Sequence, residues 1–350
     1  MTALTRRKLR TVPNGSSPKI HRWFLAAAAC LAALTAGCIK PAAVVQSPEP
    51  PFYMSQDYVV YRLESAETPA QLAQRFLGDP RKAWWVEEAN PGVGYESGQT
   101  VVLPLRRRNL GGVYATGYQT VPILTYHRFA DDCQSPLCMP TAVFKEQMRY
   151  LKENGYHAIT PEDFLAFLEY RQPLPKKSVL ITIDDGYRST YEIAYPILRQ
   201  VGFTATLFIY TELVDVTPVA LTWNQLVEMK RNGFSIGSHT IFHSDLTQPK
   251  EGESRAEHAA RIDKELSGSK LILDRKMGQD TWILAYPYGN HDQKVVASAQ
   301  QAGYKLAMSV KRGGNPFFAN ALTLRRDQIL ERDMPTFVKR LKTFTPTPLN

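Results

Sequence analysis

The chain has 350 residues, 44% hydrophobic and 21% charged, a balance that excludes a wholly disordered polymer and leaves room for more than one folded unit. Its formal net charge of +9 suggests a nucleic-acid footprint, but Arg6, Arg7, Lys8, Arg10, Lys19 and Arg22 crowd the first 37 positions without an acid. Removing them leaves 36 of the 42 basic residues against 33 acidic ones, too even a balance for a nucleic-acid partner.

Residues 1–37 read as a secretory signal: a basic stretch, an apolar run from Trp23 that is short for a membrane span, and small residues at the end. Thr35-Ala36-Gly37-Cys38 resembles a bacterial lipobox. That resemblance implies cleavage before Cys38 and a lipid on its thiol that ties the protein to a membrane; simple cleavage and a retained anchor are the alternatives. Ile39 stands where the resemblance links Asp to inner-membrane retention, so the expectation is an exported, periplasmic lipoprotein in the outer membrane. Residues 38–56, with Pro41, Pro48, Pro50 and Pro51, read as an extended tether. With Cys30 in the signal and Cys38 a lipid candidate, Cys133 and Cys138 remain as a closely spaced pair, expected to be bonded in an oxidising compartment; a zinc site is the poorer alternative.

A compact unit follows over 57–104. Tyr58 to Leu63 is strand-like, Thr68-Pro69-Ala70-Gln71 opens a helix ended by Gly78, Asp79-Pro80 opens a second through Ala89, and Gln99 to Leu103 supplies another strand. This βααβ order, with Ala70-Gln71-Leu72-Ala73, the stretch from Trp84 to Asn90-Pro91 and Ser97-Gly98-Gln99-Thr100, resembles a LysM module. The resemblance implies binding of N-acetylglucosamine-containing glycans, although Glu64-Ser65-Ala66-Glu67-Thr68 replaces the Gly-Asp-Thr-Leu usual after the first strand. Trp84 and Trp85 read as one core aromatic and one surface neighbour. Residues 105–120 form a linker, with Arg106-Arg107-Arg108 a solvated cluster.

From 121 onward the pattern changes to an α/β domain. Apolar runs at Val121 to Thr125, Ser178 to Ile183, Phe203 to Ile209 and Trp282 to Tyr286 alternate with helical stretches around Phe144–Leu151, after Thr160-Pro161, around Leu226–Met229 and from Val295 to Ala302. Strands apolar on both faces and separated by helices indicate a parallel sheet, open or closed into a barrel, with chemistry at the strands' carboxyl ends.

Two motifs sit there. Asp184-Asp185-Gly186 ends a buried strand, so two repelling carboxylates reach one site, which a cation would stabilise; the bland alternative is a helix cap. His239 and His243, four apart after another strand, converge on one ion if the segment winds as a helical turn. One carboxylate and two imidazoles leave positions open for water and substrate. A two-His, one-carboxylate iron oxygenase fits less well, because it leaves Asp184 unexplained.

These motifs, together with Ala285-Tyr286-Pro287-Tyr288-Gly289, resemble the polysaccharide deacetylases of carbohydrate esterase family 4 over residues 121–343. The resemblance implies a distorted (β/α) barrel, a divalent metal with zinc the expectation, and removal of N-acetyl groups from acetylated glycans such as peptidoglycan or poly-N-acetylglucosamine. By position it makes Asp184 the catalytic base, Asp185, His239 and His243 the metal ligands, and the Tyr288 backbone N–H an oxyanion donor. Val121 to His127-Arg128 and Leu324 to Arg326 look like the branch that contains exported poly-N-acetylglucosamine deacetylases. Ala285 stands where the family usually has an Arg, and the late Leu-x-His proton donor is missing. His127 is the leading substitute for the donor, with a structural hydrogen bond the rival role; His291 is a distant candidate, and Arg325 or Arg326 replaces the Arg. A glycan-binding lipoprotein with a degenerate domain is the alternative function.

Overall fold

The computed structural model describes residues 52–106, 109–114 and 116–347. The signal, Cys38, the tether up to Pro51, Arg107 and Arg108 lie outside the described residues.

In the smaller unit β1 (Phe52–Met54), β2 (Tyr58–Arg62) and β3 (Thr100–Pro104) form an antiparallel sheet with β2 central, and α1 (Pro69–Leu77) and α2 (Ala83–Ala89) connect β2 to β3. The α1 start follows from its residues: Thr68 Oγ1 accepts from Gln71 N while Gln71 Oε1 accepts from Thr68 N, a reciprocal cap worth about 1 kcal/mol. Three expectations need correction. The tether ends earlier, since Phe52 to Met54 pair with Tyr61 to Val59; that strand exists only through its partner and has no signal of its own. The second helix is preceded by a 3-10 turn over Pro80–Lys82, because Asp79 accepts from Arg81 N and tightens the chain. Trp84 and Trp85 are both buried, edge to face at 5.9 Å, and line a cavity of about 400 Å³ with His157 and Asp163.

The larger unit is built on seven parallel strands: β4 (Ile123–Tyr126), β5 (Ser178–Asp185), β6 (Thr206–Ile209), β7 (Ser235–Ser238), β8 (Ile283–Ala285), β9 (Leu306–Met308) and β10 (Asp327–Gln328). They run in the order β9-β8-β7-β6-β5-β4-β10, with His157–Ala158 beside the start of β5. Just before β10, Leu324 N donates to Ala307 O and Ser309 N to Leu324 O, so the two ends of the curled sheet meet at β9. The result is a curled parallel sheet, consistent with the distorted barrel that the family resemblance implies.

Alternation along the strands sets what each side chain meets. Leu124, Ile181, Ile183, Leu207 and Ile209 pack against helices that include α3 (Thr141–Glu153), α5 (Tyr195–Val201), α6 (Trp223–Arg231) and α7 (Arg255–Met277). Ile123, Leu180, Phe208, Ile283 and Leu306 pack on the other face, in one cluster with Phe164 and Phe167 of α4 (Pro161–Leu168). Thr125 and Thr182 share that inner parity and bond each other through their hydroxyls at 3.1 Å, and Asp184 follows Thr182 by two residues. The strand parity therefore aims Asp184 inward. The cavity under Trp84 and Trp85 includes Ala158, Thr204 and Gly233, before β5, β6 and β7, which is the opposite end from the motif residues.

Cys133 and Cys138 form a disulfide, as their spacing suggests. It closes the loop between Arg128–Ala130 and Cys138–Pro140, which pair as short parallel strands.

Candidate active site

Asp184 ends its strand against Arg326, which is wholly buried. Arg326 Nη1 donates to Asp184 Oδ1 and Nη2 to Oδ2, both at 2.8 Å, and Arg326 Nε donates to Ser309 O at 2.8 Å. Burial pushes the Asp184 carboxyl up, but the Arg326 charge, then His239 and the bidentate bonds, outweigh it and hold the group below its usual range. Of the two arginines considered from sequence, only Arg326 reaches the acid; Arg325 Nη1 turns to Arg312 O.

Asp185 has the opposite strand parity, yet joins the same site because its φ of 76° bends the chain at the strand end and Gly186 continues the turn at φ 96°. Its Oδ1 lies 3.6 Å from His239 Nε2 and 3.5 Å from His243 Nε2. Burial first, and the Asp184 charge second, push its carboxyl up to about 7.

The two histidines leave β7 without the expected helical turn. Residues 239–245 are irregular, with Thr240 at φ 69° and His243 at φ 55°. The conformation is held from outside: Glu265 of α7 accepts from Ile241 N at 2.8 Å, Phe242 N at 3.0 Å and Ser244 Oγ at 2.9 Å. A turn whose backbone donors bond to a distant carboxylate has no need of helical ones. His239 Nδ1 lies 2.7 Å from Ala285 O and must donate to that carbonyl, which leaves the Nε2 lone pair for the carboxylate side. Burial drives His239 down to about 3 and lowers His243 as well, so both rings are neutral near pH 7.

One oxygen of Asp185 and one nitrogen of each histidine lie within 4.8 Å of one another, a set that could hold a metal ion. The donor chemistry fits: neutral imidazoles with a fixed tautomer and a carboxylate whose charge is otherwise costly. Asp184 stays outside the set, 3.9 Å from His239 Nε2 and committed to Arg326.

His127 is buried after β4 and feels the charges of Asp184, Arg326 and His243, which places it beside the same group. Burial lowers its pKa, Arg326 and His243 add to that, and Asp184 opposes it. Among the described residues neither ring nitrogen makes a hydrogen bond. Tyr288 sits in a tight turn at φ 59° with its ring 4.7 Å from that of His243. The turn closes through Gly289 N to Tyr286 O and Asn290 N to Pro287 O, and neither bond uses the Tyr288 N–H. His291 instead stacks on Tyr286 and bonds its own loop at Gly289 O. Glu265 and its helix escaped the sequence reading; the capping box at Ser254 and Glu257 was the available signal for α7.

Residues 171–307 match the family described as polysaccharide deacetylase. Over these residues the chain is similar to the polysaccharide deacetylases. The matched segment contains Asp184, Asp185, His239, His243 and Tyr288, while His127 and Arg326 flank it. The Bacillus subtilis protein YxkH is 33% identical over 195 residues, which is 55% of this chain and 65% of that protein. The poly-beta-1,6-N-acetyl-D-glucosamine N-deacetylase of Staphylococcus aureus is 28% identical over 173 residues, 48% of this chain and 59% of that one. The chain thus spans less than two thirds of the length of these relatives. Among solved structures, the Streptococcus pyogenes deacetylase PplD in complex with acetate superposes with a TM-score of 0.58 at 28% identity, over 64% of this chain and 98% of that one.

Proposed function

We propose that the protein is a metal-dependent hydrolase that removes N-acetyl groups from an N-acetylglucosamine polysaccharide, with poly-β-1,6-N-acetylglucosamine the first substrate to test. The observation that carries the reading is the division of labour between adjacent acids: Asp184 kept anionic by Arg326, and Asp185 grouped with His239 and His243. The likeness to the Staphylococcus aureus deacetylase supports the choice of polymer.

Asp185, His239 and His243 would hold the cation, with zinc the expected ion. Bound there, a divalent cation supplies a water of lowered pKa and polarises an acyl oxygen. Asp184 is the base: it accepts the water's proton as the oxygen attacks the acetyl carbon. The Tyr288 N–H donates to the carbonyl oxygen as it gains negative charge, the type of contact whose removal costs about 3–4 kcal/mol. His127 delivers a proton to the amide nitrogen as the C–N bond breaks, giving acetate and a free amine. Because its imidazole rests neutral, His127 acts as a relay: it takes up the proton that Asp184 has gained and passes it on.

The smaller unit belongs to the same proposal as a LysM-type glycan-binding module. The amino-terminal segment belongs to it as a lipoprotein signal, with Cys38 the outer-membrane anchor. Acetate release tests the enzyme reading: Asp184→Asn should keep the metal and lose activity, and His239→Ala should lose both. His127→Gln should keep the metal and lose about 100-fold or more in kcat; unchanged turnover in that variant removes His127 from the mechanism.

A further inference from the structure

The turn that carries His239 and His243 is braced by its own Ser238 and Thr240 hydroxyls, which accept from Thr240 N and His243 N, and α7 holds it further through one face. Glu265, Gly268 and Ser269 lie at i, i+3 and i+4, hence on one side. Glu265 is 2% exposed and has no cationic ion-pair partner among the described residues; its oxygens take the N–H groups of Ile241 and Phe242 and the Ser244 hydroxyl. Ser269 Oγ lies 2.7 Å from Ser238 Oγ, immediately before His239, and is braced by Leu266 O and the Tyr304 hydroxyl. At Gly268 a β-carbon would come within 2.8 Å of Ile241 Cδ1, so the bare glycine leaves the tip of Ile241 its place against the helix. Both sides of the His239–His243 segment are therefore gripped by one rigid element, itself packed through Ile262, Leu266 and Leu273.

We infer that Glu265 is the positioning residue of the metal site, with Gly268 and Ser269 completing a cradle that presets the two imidazoles. The role follows from geometry. Burying a carboxylate with no cation in ion-pair contact is costly, and two backbone donors and a hydroxyl on its two oxygens offset that cost. The two backbone donors belong to residues between the two imidazoles, and the hydroxyl to Ser244, which directly follows His243. Without Glu265 the Ile241 and Phe242 N–H groups are orphaned, and the positive-φ conformations at Thr240 and His243 keep only the Ser238 and Thr240 hydroxyl bonds and the backbone bonds from Thr211 and Glu212. Glutamine can reproduce the pattern, because its oxygen accepts both N–H groups while its amide donates to the Ser244 hydroxyl, which is able to accept.

The inference rests on Asp185, His239 and His243 being metal ligands, so the experiment measures Zn²⁺ affinity directly. The full chain is stripped of metal and titrated against a chromophoric chelator well below the melting temperature of each variant, and acetate release is followed separately. His239→Ala checks the ligand assignment alone: wild-type affinity in that variant refutes the ligand reading and leaves the fold untouched. With His239→Ala weakened, Glu265→Ala should bind Zn²⁺ about 10-fold to 100-fold more weakly than wild type, and Glu265→Gln should recover most of that loss. Glu265→Asp, which keeps the charge but draws the oxygens back by one methylene, should fold and still bind at least about tenfold more weakly; it decides the matter if the alanine variant does not fold. Wild-type Zn²⁺ affinity in folded Glu265→Ala or Glu265→Asp overturns the inference, as does a Gln variant no better than Ala.

Discussion

Replacing Arg326 by methionine fills its space and removes its charge, leaving Asp184 buried beside no guanidinium. Wild-type Asp184 receives two bonds at 2.8 Å from a partner that is itself 0% exposed, so solvent screening does not weaken the pair. Breaking a buried pair by deleting one partner costs about 3–5 kcal/mol, because the surviving charge is left uncompensated. The pH dependence has a definite sign. In the wild type the depressed Asp184 pKa contributes stability that is present above the unfolded carboxyl value of 3.8 and is lost as pH falls through the folded value. In Arg326→Met burial dominates and raises the folded pKa, so the variant is penalised while Asp184 is charged and recovers as pH falls through the raised value. Urea denaturation of chelator-stripped protein should therefore show a gap of about 3–5 kcal/mol at neutral pH that narrows in acid. The acidic limb of the kcat profile should also move to higher pH, since the base is neutral over a wider range. A gap below about 1 kcal/mol at neutral pH, or one independent of pH, would contradict the assignment of Arg326 as the partner that keeps Asp184 ionised.

Two further outcomes follow from the site. In the metal-free protein Asp185 is pushed up to about 7 while His239 sits down at about 3, so the proton that competes with metal near neutrality is on Asp185. Zn²⁺ affinity should fall roughly tenfold per pH unit below that point, and isothermal titration in buffers of different ionisation enthalpy should report close to one proton released; no proton release would remove Asp185 from the ligand set. The same raised pKa gives the metal-free fold stability that is present at low pH and lost as pH rises toward 7, opposite in sign to Asp184. Gly289 has φ 74°, and a β-carbon there would stand 2.4 Å from Val310 N, so Gly289→Ala must displace the Tyr288 turn. It should cut kcat by about 100-fold at unchanged metal content, and normal turnover would free the Tyr288 N–H of any catalytic part.

The residues legible in sequence were those whose role depends on local structure. Asp184 and Asp185 close an eight-residue strand that is buried throughout, and the Gly after them announces the turn. Thr68 and Gln71 declare a helix start through a bond between themselves. What depends on distant partners stayed hidden. The spacing of His239 and His243 suggested a helical turn, whereas a carboxylate on α7 draws the segment into an irregular one. Over Arg255–Met277 charged residues surround a thin line of buried ones, Ile262, Leu266 and Leu273 among them, so neither the helix nor Glu265 stands out by periodicity. Phe52 to Met54 form a strand only against β2. Arg326 lies more than 140 positions from the acid it serves, and only its resemblance to a family segment singled it out.

The most direct test is acetate release from purified poly-β-1,6-N-acetylglucosamine by the Zn²⁺-loaded chain beside Zn²⁺-loaded Asp184→Asn. The account predicts steady acetate release by the wild type, abolished by chelation and restored by metal, and none above background from the variant at equal metal content. Metal-loaded wild type that releases no acetate from this polymer, peptidoglycan or chitin oligomers, or an Asp184→Asn variant as active as wild type, would contradict it.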